Sequence, residues 1–215
     1  MEVRAYRYAR VAWCYDELAA LWSLGAIPRA KAAAARALAR DSRVLFAGVG
    51  RGSDALLAAQ RGVDVFALDT EPAMLRRFEQ TLSDHGLRAT AIEADWFGYV
   101  PEQPFDAVVA SFALNVFDGR ELAGALDAAI GWLKPAGRLF VADFAPPGPG
   151  AVRRAFSQLH YWPVAVVAHS LGLCSLHPIH DYRRLLEERD LAVESEDDFG
   201  LYRLWRARLP GRTSV

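Results

Sequence analysis

Apolar residues recur along this chain at two different periods, and the switches between them lay out its elements. Tyr8, Val11, Tyr15, Leu18 and Trp22 recur at spacings of three and four, which predicts a helix over 3–24. A second helix is expected over 28–40, opened by Pro28 at a position that suits proline. Short apolar runs then alternate with helical stretches. Residues 44–47 read as a first strand, 53–60 as a helix and 63–68 as a second strand. The next helix starts near Thr70, with Pro72 early and Met74, Leu75, Phe78 and Leu82 on one face. Residues 88–93 form a weaker third strand and 105–110 a fourth with a nearly continuous apolar core. Asp118 and Glu121 stand in capping-box spacing ahead of a stripe at Leu122, Leu126, Ala129 and Leu133. That helix stops at Lys134-Pro135-Ala136-Gly137, and 139–142 is a fifth strand. Two consecutive strands, 191–198 and 201–208, meet near Gly200 and are therefore expected to be antiparallel.

Short strands alternating with helices predict an α/β fold with a parallel sheet covered on both faces. Ligands of such sheets sit beyond the carboxyl ends of the strands. Gly48, Asp69, Asp95 and Ser111 all fall at those ends. The chain has 215 residues, enough for one such domain with a full core. A formal net charge of −1 argues against wholesale nucleic-acid binding. Cys14 and Cys174 match no metal or redox spacing, which points to a reducing, cytoplasmic setting. The start of the chain has no apolar signal core, and the longest apolar stretch, 162–173, is too short to span a bilayer. Peripheral membrane contact stays open, as does the oligomeric state.

The stretch Val44-Leu45-Phe46-Ala47-Gly48-Val49-Gly50-Arg51-Gly52 carries the most chemistry. An apolar run ends in three glycines at alternate positions, ahead of a helix. Glycine admits positive φ and lets a ligand approach the backbone, and the turn can present N–H groups and a helix N-terminus. Asp69 ends the next apolar run, 21 residues after Gly48, where a carboxylate can accept from both hydroxyls of a ribose. The spacing is GxGxG and not the GxGxxG of dinucleotide binders, which favours a nucleoside ligand without a pyrophosphate. Each residue also has a plainer role open to it: Gly52 in helix–strand packing, Asp69 and Asp95 as caps, Met74 as core, Trp96 as a packing residue.

Five stretches in this order, VLFAGVGRG, VFALDTEPAML, IEADWF, FDAVVASFALNVF and LKPAGRLFVADF, resemble the class I S-adenosylmethionine-dependent methyltransferases, in particular their ubiquinone/menaquinone-type small-molecule branch. The resemblance covers residues 40–145 well and the final strands in outline. It implies a Rossmann-like seven-stranded sheet of order 3-2-1-4-5-7-6 with strand seven antiparallel. The expected organisation is a single domain: an N-terminal helical cap (1–40), a cofactor-binding core (41–145), a helical lid (146–182), then a final helix and antiparallel strands (183–215). It also implies S-adenosylmethionine as cofactor. Gly48, Gly50 and Gly52 would lie under its methionine part, and Asp69 would hold the ribose hydroxyls. Thr70 and Met74 would line the adenine, Asp95 would accept from its amino group, and Trp96 would stack on or flank the ring. Ser111 and Phe112 would stand where sulfonium and acceptor meet, and Tyr15 would close over the cofactor. One departure matters. Phe46 stands where the family usually has an acidic residue that organises contacts to the cofactor's amino group; Asp16 or a backbone carbonyl are possible substitutes.

The segment 153–182 is aromatic and apolar with scattered histidines, which suits a lid over a flat, greasy acceptor as well as a pair of core helices. His160 is the general-base candidate, and Tyr161 and Trp162 beside it are acceptor-site candidates. Asn115 could orient an acceptor or cap the next helix. His177 and His180 stand three apart with only Asp181 near, so no metal is expected, and Pro178 is read as opening a helix with Ile179, Tyr182, Leu185 and Leu186 on its face. The expected activity is O- or C-methylation of a small, largely apolar or aromatic molecule, with N-methylation second. The alternatives are a non-catalytic cofactor-binding or scaffold protein, motivated by Phe46, or another chemistry of the same cofactor.

Overall fold

Strand β1 (Arg43–Ala47) shows how the apolar runs are used: Val44 and Phe46 join one buried cluster, while Leu45 and Ala47 join another on the opposite face. Alternate residues of an extended chain point to opposite sides, so a run buried on both sides must be apolar throughout. The computed structural model describes residues 21–211 apart from Pro149, Leu173 and the Arg153 side chain. The elements run α1 (Ala26–Ala37), β1, α2 (Ser53–Gln60), β2 (Asp64–Asp69), α3 (Pro72–Asp84), β3 (Thr90–Glu93), β4 (Phe105–Ser111), a 3₁₀ turn (Leu114–Val116), α4 (Gly119–Gly131), β5 (Leu133–Phe144), α5 (Ala151–Ser170), α6 (Tyr182–Glu187), β6 (Ala192–Asp198) and β7 (Tyr202–Arg208).

The seven strands form one sheet of order β3-β2-β1-β4-β5-β7-β6. The first five are mutually parallel, and β7 runs antiparallel to both β5 and β6. One face buries Ala30 and Ala34 of α1, Ala55 and Ala58 of α2, and Leu75, Phe78 and Leu82 of α3. The other buries Leu122, Leu126 and Ala129 of α4 with Tyr182 and Leu186 of α6. The small alanine faces of α1 and α2 let those helices lie close to the strands. The capping box expected at α4 is formed: Asp118 accepts from the Arg120 and Glu121 amides, and Glu121 accepts from the Asp118 amide.

Three elements differ from the sequence reading. β5 is longer than 139–142 and already begins at Leu133. Its register against β4 jumps between Phe105↔Leu133 and Ala107↔Arg138, so Lys134-Pro135-Ala136-Gly137 bulges out of the strand with Ala136 at φ 61°. Asp106, opposite the bulge, receives Lys134 Nζ at 2.7 Å. The lid is a single 20-residue helix, α5, with Pro163 on an exposed stretch where a missing donor is tolerated. Pro178 does not open a helix: α6 starts at Tyr182, because Asp181 caps it by accepting from the Arg184 amide at 3.3 Å. Of the helix expected over 3–24, residues up to 20 lie outside the described part, and Leu21 and Trp22 are helical.

Candidate active site

The glycine loop after β1 is held from within. The Gly48 and Val49 amides both donate to Leu68 O, at 2.9 and 3.0 Å, and Gly52 donates to Val49 O at 2.9 Å. The Gly50 amide donates to Asp69 Oδ2 at 2.8 Å. These four N–H groups therefore serve the loop rather than a ligand, because the loop folds back against the end of β2. All three glycines have φ between 55° and 69°. They differ in what a side chain would meet. At Gly52 a Cβ would lie 2.3 Å from the Phe78 ring, and at Gly48 2.7 Å from Ala113 Cβ, whereas at Gly50 nothing lies within 4 Å. Gly48 and Gly52 permit close packing; Gly50 opens the backbone to an approaching molecule.

Asp69, half-buried at the end of β2, accepts from Gly50 and also from the Glu71 amide at 3.0 Å. Burial pushes its carboxyl above the ordinary value, and the Gly50, Glu71 and Thr70 amides hold it back. A carboxylate oxygen has a second lone pair, so both oxygens keep acceptor capacity toward the cleft. Thr70 is exposed beside it, and Met74 is buried in α3. Asp95 Oδ1 caps its own turn, accepting from the Phe97 and Gly98 amides at 2.7 and 2.9 Å. Trp96 lies in the core: Nε1 donates to Ala125 O at 2.8 Å and the ring packs against Phe117 and Trp132. Tyr15 lies outside the described residues.

At the ends of β4 and β5, Phe112 adopts φ 57°, a left-handed conformation that costs free energy for any side chain with a Cβ. Its ring meets Tyr202 at 5.6 Å and Phe144 at 6.4 Å between centroids. Phe144 in turn contacts Tyr161 at 5.1 Å. His160, half-buried, places Nε2 2.9 Å from the Tyr202 hydroxyl, with its ring between Trp22 and Phe156. Burial pushes its imidazole below the ordinary value, so it stays neutral near pH 7. Tyr161 is buried and donates to His177 O at 2.8 Å, while Trp162 Nε1 donates to Gln158 Oε1. Asn115 Nδ2 donates to Asp143 Oδ1 at 2.8 Å. Asp143, fully buried, also accepts from the Tyr182 hydroxyl at 2.9 Å and the Phe144 amide at 2.8 Å; burial raises its carboxyl to about 6. The rings of His177 and His180 stack at 4.1 Å. His177 turns its ring nitrogens to Asn115 O and Pro178 O, and His180 turns Nε2 to Phe117 O. Among the described residues no group of three His, Cys, Asp or Glu is placed to hold a metal.

Sequence reasoning missed one group here, Asp54, which lies beside the Ser111 it had already singled out. Asp54, in the first turn of α2, is 4% exposed and has no hydrogen-bond or ion-pair partner among the described residues. Ser111 Oγ is buried and likewise unpartnered. Both line a small crevice beside the glycine loop with Phe46, Gly48 and Val109. An acid near a helix start reads as a dipole partner, and only the fold shows that this one is buried.

Comparison with known proteins decides what this arrangement belongs to. The family described as "Methyltransferase domain" matches residues 44–137. A demethylmenaquinone methyltransferase of Thermus thermophilus is 34% identical over 149 residues, 67% of each chain. The chain belongs to the class I S-adenosylmethionine-dependent methyltransferases. Its sheet order is the one the sequence resemblance implied. Among solved structures, an O-methyltransferase family protein from Burkholderia thailandensis superposes with TM-score 0.72 at 19% identity, over 96% of this chain and 61% of that one. A 1,6-didemethyltoxoflavin-N1-methyltransferase from the same organism, solved with S-adenosylhomocysteine and its acceptor, gives 0.66 at 19% identity over 98% and 92%. The methyltransferase's cofactor is S-adenosylmethionine, and the residues present fit it. Gly50 leaves a cradle that a Cβ would fill, Asp69 keeps acceptor capacity, and the crevice offers a buried unpaired acid for a cation.

Proposed function

We propose that this methyltransferase methylates a small, flat, largely apolar or aromatic acceptor, at oxygen or carbon in preference to nitrogen. The observation that carries this reading is the aromatic cluster at the ends of β4 and β5. Phe112, Phe144, Tyr161 and Tyr202 form a continuous chain of ring contacts there, and His160 meets the Tyr202 hydroxyl. Rings present broad apolar faces that suit a planar acceptor, and few charged groups stand among them to favour a cationic amine. When bound, S-adenosylmethionine supplies an electrophilic methyl group on a sulfonium. The chain's part is alignment and exclusion of water, which account for much of the acceleration of such a displacement. Gly50 and Asp69 fix one side of the cleft, and Phe112 stands where the two sides meet. His160 accepts the proton of a hydroxyl acceptor, for which its neutral imidazole is in the right state.

The test is to incubate the purified chain with fractionated cell extract and isotopically labelled S-adenosylmethionine and to follow label into products by mass spectrometry. The reading expects label in an aromatic product of the apolar fractions; label confined to polar amines would replace it with N-methylation. His160→Ala should then lower kcat about 10²–10⁴-fold. The wild-type rate should rise with pH through an ionisation below 6.5, and the variant should lose that limb.

A further inference from the structure

Four aspartates stand near the carboxyl ends of the parallel strands, and three of them are engaged. Asp69 accepts from the Gly50 and Glu71 amides, Asp95 from the Phe97 and Gly98 amides, and Asp143 from Asn115, Tyr182 and its neighbour's amide. Asp54 has none of this, although it is 4% exposed. A buried carboxylate without a partner is among the more costly arrangements a fold can keep, and a donor or cation supplied by a ligand is the usual compensation. Asp54 lines a narrow crevice beside the glycine loop. Its other lining residues are Phe46, Ala47, Gly48, Val49, Val109 and Ser111, so Asp54 carries the only charge there among the described residues. Ser111 Oγ, the second polar side chain, is also buried without a partner. An unpartnered carboxylate and an unpartnered hydroxyl in one crevice suit a small group rich in N–H donors and positive in charge.

Phe46, buried at the end of β1, occupies the position at which the family usually carries its acid. We propose that Asp54, assisted by Ser111, receives the ammonium group of the cofactor's methionine part, so that the acid missing from the strand is supplied by the first turn of the next helix. This rests on S-adenosylmethionine being the cofactor. The relocation is sterically coherent. Gly52 lets the loop turn tightly into α2, since a Cβ at that position would lie 2.3 Å from the Phe78 ring and 3.1 Å from the Val49 side chain, and Asp54 is the second residue of α2. Asp54 also sits well for the helix dipole, so a purely structural role has to be separated from a binding one.

Calorimetric titration with three ligands makes that separation: S-adenosylhomocysteine, its decarboxylated analogue, which keeps the amine, and 5′-methylthioadenosine, which lacks the amino-acid part. Asp54→Asn keeps the shape and removes the charge. It should weaken the first two ligands alike, by about 10- to 100-fold, the range for a hydrogen-bonded charge, and leave the third within about twofold. Ser111→Ala should weaken the same two by about 2- to 10-fold and serves as the second probe if Asp54→Asn melts early. Equal losses for all three ligands would make Asp54 a structural residue and overturn the assignment, and so would unchanged affinity. Failure of the wild-type chain to bind S-adenosylhomocysteine would instead overturn the cofactor reading, and the assignment with it.

Discussion

Asp106, where β1, β4 and β5 begin, accepts from Lys134 Nζ at 2.7 Å and from the Arg43 amide at 2.9 Å. Asp143, where β5 finishes, is fully buried and meets three neutral donors but no cation at hydrogen-bond distance. Burial pushes both carboxyls up. For Asp106 the Lys134 hydrogen bond, the Arg43 amide and the two positive charges outweigh it, and the group sits below the ordinary value. For Asp143 burial wins, and the group rises to about 6. The same contrast holds for backbone and neighbours. The β4–β5 bulge at the first end is closed by an ion pair, whereas the second end gathers a left-handed Phe112, an orphaned Ser111 hydroxyl and the unpartnered Asp54. The carboxylate is met by a cation where the strands start and by none where they stop. That is the pattern expected when one end serves stability and the other serves a ligand.

The largest effect should come from the glycine loop. Gly50→Val should abolish S-adenosylhomocysteine binding in calorimetry, and its stability cost should come from the left-handed φ of 55° alone, since a side chain there meets open space rather than protein. Gly52→Ala should do the reverse and cost stability, about 1–3 kcal/mol in urea unfolding, by pushing into Phe78. If the two variants behaved alike, the division between a packed and an open glycine would fail.

Asp143 should shape the stability profile. Its carboxyl rises from 3.8 unfolded to about 6 folded. Below 3.8 both states hold the proton; between those values the unfolded chain releases it and the folded chain retains it, so stability falls as pH rises. The loss is on the order of 3 kcal/mol and is complete above about pH 6. His180, lowered to about 4 by burial, slopes the other way over the same window. The informative quantity is therefore wild type minus Asp143→Asn in urea midpoints across about pH 4 to 6; a flat difference would deny Asp143 its raised ionisation.

Asp69→Ala should weaken cofactor binding by roughly 1.5–3 kcal/mol in a folded variant, because it removes the anchor of the Gly50 amide together with the proposed ribose acceptor. The smallest effect belongs to the other end of the sheet. Lys134→Met should cost no more than about 1 kcal/mol, less in high salt, and leave cofactor affinity unchanged, since the pair with Asp106 is well exposed. A change in affinity there would break the separation of the two ends.

The elements were legible wherever one period governed them. The alternation at Val44–Ala47, the Asp118–Glu121 cap and the Gly200 turn each depend on residues near in sequence, and each element formed as read, give or take a residue or two. The β5 bulge was not legible, because it follows from Asp106 meeting Lys134, 28 positions away. Trp96 could not be placed from its neighbours, since its Nε1 is spent on Ala125 O across the fold. Asp54 escaped for a related reason. Nothing adjacent to it signals burial; that comes from how closely α2 lies on the sheet beside Phe46 and Ser111.

The reversed direction of β7 has a practical side. A strand antiparallel to β5 starts at the end where β5 finishes, with Tyr202 opposite Phe144, and runs away from it to Arg208, opposite Arg138. Leu209 then donates to Gly137 O at 2.9 Å, and Gly211 lies near Ala136. A fluorophore, an affinity handle or a surface linker joined after that point would stand at the far rim of the sheet, a full strand's length from Phe112. Immobilised enzyme attached this way should keep its cleft facing the solution.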